Sequence, residues 1–308
     1  VLEAGARFED KDFPKTSWRL RKFLFAPRLG LEGIQRIHKL PDVFVLCGAG
    51  VGGGSLVYAN TLYQPGDEYF NDPHWNQITD WKRELEPWYA VARRMLGVIK
   101  NPYFSNSDKA MKQVADELGV GDTFTLAPLG IYFGEKPGVD NPDPYFNGDG
   151  PIRKSCINCG ECMTGCRHNA KNTLVKNYLY FAEKLGVKVK PLTTVTSIEN
   201  KDGIWKVSTR NSSSWLISGK TISASEVVLA AGAFNSQKLL HRMKSNGKLN
   251  ISDALGKLSR TNSESLVGAI MPKTEIDFSD GAAITSSFYP NPNFHNANFL
   301  VYGKLRWE

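Results

Sequence analysis

Four of the chain's five cysteines fall within eleven residues, 156-CINCGECMTGC-166. If four thiols are to converge on one centre, the backbone between them must turn tightly, and Gly160 and Gly165 are the residues that permit it. The fifth, Cys47, stands far away in the sequence. A tight cluster plus one isolated cysteine is unlike the dispersed pattern of a secreted disulfide scaffold, so a reducing, cytoplasmic setting is expected.

The spacing C-x2-C-x2-C-x3-C is that of a bacterial ferredoxin run without its trailing proline, because Arg167 follows Cys166. In two-cluster ferredoxins the fourth cysteine of such a run serves the other cluster. Only one run is present, so the complete arrangement is a single site of Cys156, Cys159, Cys162 and Cys166, with Cys47 as a candidate outside ligand. The basic neighbours Lys154, Arg167 and Lys171 would offset its thiolate charge. Zinc is the competitor, but four-cysteine zinc sites usually pair two C-x2-C knuckles across a longer loop. Two disulfides, or four unligated thiols, form a third reading. The spacing favours an iron–sulfur cluster, [4Fe–4S], over zinc, and either over no metal.

The rest describes an ordinary globular α/β chain. Its 308 residues suffice for one large or two ordinary domains, with 41% apolar and 22% charged residues. No window approaches the roughly 18 uncharged apolar residues of a membrane helix. The net charge of +7 permits attraction to anions, but the aromatic-plus-basic motifs of nucleic-acid binding are missing, so no nucleic-acid partner is expected. Amphipathic spacing predicts helices over 81–97, capped by Asp80 and broken or kinked before Pro87, over 107–119, and over 172–186. Residues 137–150 are loop. Strands are expected at 187–192, 194–199 and 204–210 with a Lys-Asp-Gly turn, at 215–224, and as a buried run at 226–232. The opening VLEAG reads as the last turns of a buried strand. Both ends look cut, since the closing LVYGKLRWE stops within a strand pattern.

Two glycine-rich stretches carry the strongest positive signal. In 48-GAGVGGGSLVYAN-60, five glycines in seven residues let backbone N–H groups approach a phosphate or flat ring, and SLVYAN could begin a helix facing the same anion. In 227-VVLAAGAFNSQKLL-240, a buried strand enters Ala-Ala-Gly and a helix starts at Ala233. Each alone could equally be a tight structural crossing.

Together, VLEAG, GAGVGGGSLV and EVVLAAGAFNSQKLL resemble successive motifs of the glucose–methanol–choline (GMC) oxidoreductases, nearest to the cholesterol oxidase branch. The order and spacing fit along essentially the whole chain, including 255-LGKLSRTNSESLVGA-269. The resemblance implies an α/β fold in which a Rossmann-like FAD domain (1–60 and 186–256) interleaves with an α+β substrate domain built on an antiparallel sheet and beginning at 257–308. Residues 61–185 form a helical and loop segment that contains the cysteines. Carried over, Glu3 would bind the adenosine ribose, and Gly48, Gly50, Gly52, Gly53, Gly54 and Ser55 would line the pyrophosphate and flavin edge. Asn60 would lie near the reactive flavin face. Val195 would meet the adenine through its backbone, and Ala231, Gly232 and Ala233 would touch the dinucleotide. Hydride abstraction would be the flavin's chemistry, with the protein supplying position and electrostatics.

Departures accompany the resemblance. The G-x-G-x-x-G fingerprint would precede Val1. The catalytic His and its Asn or His partner would follow Glu308, because none of His38, His74, His168, His241 and His295 sits in that motif. The chain by itself is therefore expected not to turn over substrate. The best-matched cholesterol oxidases lack the cysteines, which implies a cysteine-bearing subgroup. A cluster near the flavin could lead electrons to an acceptor protein instead of oxygen, or could simply pin the loop. The implied substrate is a 3β-hydroxysterol or similar alicyclic alcohol. The basic-apolar stretch 18–30 could form a lid touching a membrane surface, although Trp18 and Phe23 packed inward is the preferred reading. Two N-x-S triplets, at Asn211 and Asn250, carry little weight without a secretory signal. The rival class is an iron–sulfur electron carrier on a degenerate nucleotide fold, with no substrate chemistry of its own.

Overall fold

The structure is a computed structural model describing residues 1–214, 219–257, 259, 275–290 and the backbone of the strand Phe299–Tyr302. Two compact units emerge. One comprises Val1–Arg7, Leu20–Val51 and Lys188–Thr274; the other comprises Phe8–Arg19, Gly52–Val187 and Glu275–Glu308.

The first unit is built on an antiparallel sheet of Thr193–Lys201, Ile204–Asn211 and Gly219–Ala224. The expected Lys-Asp-Gly turn joins the first two strands, with Asp202 and Gly203 both left-handed (φ 52° and 80°), the requirement of a two-residue hairpin loop. Ile198 and Val207 pack beneath Leu239 and Met243 of the helix Ala233–Ser245. Burying each such side chain is worth about 1.5–3 kcal/mol. A second hairpin pairs Gln35–Lys39 with Phe44–Gly48.

In the second unit the strand Ile284–Phe288 is buried along its whole length between Thr125–Leu126 and Phe299–Tyr302. The helix Asn106–Glu117 starts with a capping box. Ser105 Oγ accepts from the Asp108 N–H, and Asp108 accepts from the Ser105 N–H at 2.8 Å. Asp108 is itself buried and also accepts from Thr285 Oγ1 at 2.6 Å, which locks the helix start to the central strand.

Several expectations change. The helix Trp81–Met95 runs unbroken through Pro87, with Asp80 Oδ1 capping Arg83 N at 3.1 Å. It has no buried residue, so the carbonyl deprived of a donor by the proline can be hydrated. The helix expected over 172–186 is a 3-10 turn, Leu174–Lys176, then an α-helix only at Tyr178–Lys184, because Asn177 (φ −143°, ψ −97°) interrupts the spiral. SLVYAN begins no α-helix; Gly53–Leu56 is a 3-10 turn. Residues 187–192 and the opening VLEAG form no strand beyond a single parallel bridge, Leu2 to Lys190. The run 226–232 is neither strand nor buried: Val228 is 87% exposed, since no described strand pairs with it. Trp18 is not packed inward but 64% exposed, just before the short helix Leu20–Phe23. Residues 215–218 and most of 255–269 lie outside the described residues.

Every multi-residue strand pairing among the described residues is antiparallel, so the observed class is mixed α/β with antiparallel sheets.

Candidate functional site

The residues expected to meet a dinucleotide are divided between the units. In the first, Glu3 acts as a backbone clamp: its Oε1 accepts from the N–H of Gly5 at 2.7 Å and of Gly50 at 3.1 Å. The approach demands glycine, because a Cβ on Gly5 would lie 2.3 Å from Gly50 N. Gly48 ends the hairpin strand, and Gly50 is in the glycine-favoured region at φ 135°. Val195 pairs with Thr209 directly before a β-bulge and is half-buried against the Ile198 cluster. Ala231, Gly232 and Ala233 are exposed at the start of the helix Ala233–Ser245, with Gly232 at φ 77°. Sequence reasoning missed Arg36, whose Nη1 donates to Asn235 Oδ1 at 3.1 Å, joining the hairpin to that helix. Burial pulls its guanidinium pKa down, opposed by Cys47 and Glu3. Its only sequence signal was a basic residue alternating within a strand. Cys47 is a half-buried free thiol of this same unit, on the strand opposite Arg36.

In the second unit, Gly52 and Gly53 (φ 110° and 53°) lead into the 3-10 turn. Ser55 Oγ donates to Gly52 O at 2.6 Å and accepts from Leu174 N at 2.9 Å. Gly54 lies within the same turn, and a Cβ there would meet open space. Asn60 is fully buried and left-handed at φ 69°, and its Nδ2 and Oδ1 both lack a hydrogen-bond partner. An unmet buried polar group costs about 1–3 kcal/mol, so two on one carboxamide mark a group poised for a polar ligand.

The cysteine run belongs to this unit. Its backbone is stitched in place by Cys156 N to Tyr132 O (2.9 Å), Gly160 N to Gly281 O (2.8 Å) and Gly281 N to Asn158 O (2.9 Å). Asn158, Gly160 and Gly165 all have positive φ, which supplies the repeated turns. The four cysteines line one small cavity of about 20 Å³ with Ile131, His168 and Lys171 among its walls; anything larger than a single ion requires the thiols to swing apart. All five cysteines are free, so the disulfide reading is not realised.

Burial raises the pKa of three of the thiols: Cys156 is pushed up to about 12, Cys162 to about 11, and Cys159 in the same direction. Backbone N–H groups of Asn158, Glu161 and Ala283 act the other way, favouring thiolates at Cys156, Cys159 and Cys162 respectively. Among the described residues the ligand atoms close enough to share one ion, within 4.8 Å of each other, are those of Cys159, Glu161 and His168. Glu161 is already paired with Arg167 at 2.6 Å. No three of the cysteine sulfurs meet that limit.

Two buried cations, Arg153 and Lys171, and the partly buried Lys176 stand behind the run. Lys171 is 1% exposed, and its Nζ donates to Leu56 O (2.9 Å), Tyr58 O (2.8 Å) and Cys162 O (3.0 Å). Burial drags its pKa down to about 7, against the opposing pull of Cys162 and Cys166. Arg153 is 2% exposed and donates to Asn169 O, Lys171 O and Asn172 Oδ1. Lys176 pairs with Asp10 at 2.7 Å. Of the three, the sequence flagged only Lys171.

Comparison with known proteins gives a consistent picture. Residues 152–248 match the family described as GMC oxidoreductase. Cholesterol oxidases from two strains of Mycobacterium tuberculosis, CDC 1551 / Oshkosh and ATCC 25618 / H37Rv, are each 55% identical over 313 residues, covering 99% of this chain and 54% of their own length. A cholesterol oxidase from Acinetobacter baumannii is 42% identical over 307 residues, 96% of this chain and 55% of its own. The chain thus spans about half the length of the curated relatives it matches. Among solved structures, an FAD-dependent oxidoreductase from Chaetomium thermophilum aligns with a TM-score of 0.48 at 17% identity, covering 82% of this chain and 46% of that one. No helix among the described residues is long and apolar enough to cross a membrane.

Proposed function

From the premise that this chain belongs to the GMC oxidoreductase family, we propose that it forms part of an FAD-dependent enzyme oxidising the CH–OH group of a sterol or similar alicyclic alcohol. The observation that carries the cofactor reading is Asn60, a fully buried carboxamide with both polar atoms unpartnered at the end of a glycine turn. Such a group fits the polar edge of a flavin. Bound there, FAD would supply hydride acceptance. The chain's own task is positional. Glu3 would keep the segment 48–50 in place and turn its free carboxylate oxygen to a ribose hydroxyl. Gly52, Gly53, Gly54 and Ser55 would present a bare backbone to the pyrophosphate. Val195, Ala231, Gly232 and Ala233 would border the adenosine. The sterol class rests on similarity to the cholesterol oxidases, which extends over 99% of the chain and argues against a free-standing electron carrier.

The cysteines would hold a metal centre, and a [4Fe–4S] cluster suits them better than zinc. Tetrahedral zinc at Zn–S of about 2.3 Å brings its sulfurs to about 3.8 Å from one another. No three of the cysteine sulfurs lie within 4.8 Å of one another, too far apart for one zinc ion, while the single C-x2-C-x2-C-x3-C run is an iron–sulfur spacing whose thiols would swing apart to admit the cluster. The trio Cys159, Glu161 and His168 is the weaker candidate, because Arg167 already neutralises Glu161 and would repel a cation.

The full-length protein, purified without oxygen, tests both parts. Flavin absorbance that bleaches when a 3β-hydroxysterol is added supports the enzyme reading; a protein without flavin overturns it. Iron and sulfide at about four each per chain support the cluster, whereas stoichiometric zinc or no metal overturns it.

A further inference from the structure

The cysteine site is backed by more buried positive charge than its own surroundings neutralise. Arg153 and Lys171 are both almost fully buried, yet their hydrogen bonds go to carbonyls and one carboxamide, not to a carboxylate. The third cation, Lys176, already has Asp10. Arg167 and Glu161 cancel, as do Lys154 and Asp140. Among the described residues, then, neither Arg153 nor Lys171 hydrogen-bonds a carboxylate. An unpaired buried charge is costly, and a fold tolerates it where an opposite charge is meant to arrive.

Lys171 lines the cavity that the four cysteines share, and Arg153 donates to the carbonyls of Asn169 and Lys171 in the segment that follows the run. Lys171 Nζ touches the Cys162 carbonyl, and Cys166 acts electrostatically on Arg153, Lys171 and Lys176 alike. Four thiolates on a core of charge +2 would carry a net charge of −2, a charge that Arg153 and Lys171 would offset. Lys171 has a second attachment. Its bonds to Leu56 O and Tyr58 O bring the Tyr58 and Cys162 carbonyls within about 6 Å of each other, so the run is tied to the segment leading into Asn60.

We propose that Arg153 and Lys171 form a built-in cationic cradle for a dianionic four-thiolate centre, with Lys171 as the positioning residue that holds Cys162 and offsets its charge. This rests on the metal-site reading above and adds what the protein does to keep such a centre buried.

The experiment compares full-length wild type, Lys171→Met and Lys171→Arg, purified anaerobically, for iron and sulfide content, midpoint potential and melting temperature with and without the metal. Lys171→Arg keeps the cation and should retain the centre. Lys171→Met should either lose most of its iron, or keep it at a lower midpoint potential, because removing a positive charge disfavours the more negative, reduced form. The loss of melting temperature on Lys171→Met should also be larger in metal-loaded than in metal-stripped protein. If the two losses are equal, and iron and potential match wild type, Lys171 is only a strut for three carbonyls and the proposal fails. A wild type holding no thiolate-bound metal instead overturns the metal-site reading, and the cradle with it. Lys171→Met keeps the side-chain length but strips the donor from three carbonyls; should it not fold, Arg153→Lys, which keeps the charge but loses the planar fork, should still retain the centre, and loss of the centre there overturns the proposal.

Discussion

Replacing Gly165 by alanine probes whether the cysteine run is held by its own backbone geometry. Gly165 sits between Cys162 and Cys166 at φ 105°, ψ −105°, a region open essentially to glycine alone. Holding an L residue there costs about 1–3 kcal/mol. The new Cβ would also lie 2.3 Å from Phe13 Cδ1 and 2.4 Å from Cγ, against a ring that is itself buried. Relieving that overlap costs about 1–3 kcal/mol more. The sum, about 2–6 kcal/mol, is a large share of a typical domain's stability and lowers the melting temperature by about 4–20 °C. Thermal unfolding by circular dichroism, on metal-free protein so that ligation does not contribute, is the assay. Repeating Gly165→Ala in a Phe13→Ala background removes the steric half, so its cost should fall to the backbone part alone. If Gly165→Ala melts within about a degree of wild type, where about 4 °C is the smallest expected fall, the turn is not constrained as described. If the cost is the same with and without the Phe13 ring, the ring contact is not its source.

Three further outcomes are expected. Asn60→Gly suits the left-handed backbone and removes two unmet polar atoms, so cofactor-free stability should change by no more than about 1 kcal/mol while flavin retention drops; equal retention would refute the assignment. Ser55→Ala strips the acceptor from Leu174 N and should destabilise by about 1–3 kcal/mol, measured by urea unfolding. Asp143 accepts from the N–H groups of Tyr145, Phe146, Gly148 and Gly150; burial pushes its pKa up, but these four donors win and hold it below its ordinary 3.8. With the folded value depressed, its stabilising effect is complete above the unfolded value and is lost as pH falls through the lower folded one. Acid unfolding of wild type should therefore contain a step below pH 3.8 that Asp143→Asn lacks.

Local sequence specified the features that neighbouring residues decide among themselves. The Asp80 cap, the Asp202-Gly203 turn and the positive-φ residues of the cysteine run all formed as the residues require. Two expectations, a break at Pro87 and a strand at 226–232, were not met because they judged local pattern without its surroundings. Pro87 does not end the helix: it removes one hydrogen bond and crowds the preceding turn, and on this exposed helix water can reach the orphaned carbonyl. The apolar run at 226–232 becomes a strand only if another strand accepts its backbone bonds, and none of the described strands does.

The cysteine spacing and the glycine turns were legible before any coordinates, and with them the two chemistries proposed above. What tertiary structure alone decided is charge and satisfaction at a distance: Glu3 clamping Gly50, Asn60 left with both amide atoms unmet, and Lys171 buried against Leu56, 115 residues away in sequence. A lysine's place in the sequence says nothing of whether water reaches it. Burial depends on every segment that packs around it, and only that burial sets Lys171 apart from a common surface cation, as the proposed counter-charge of a thiolate site requires.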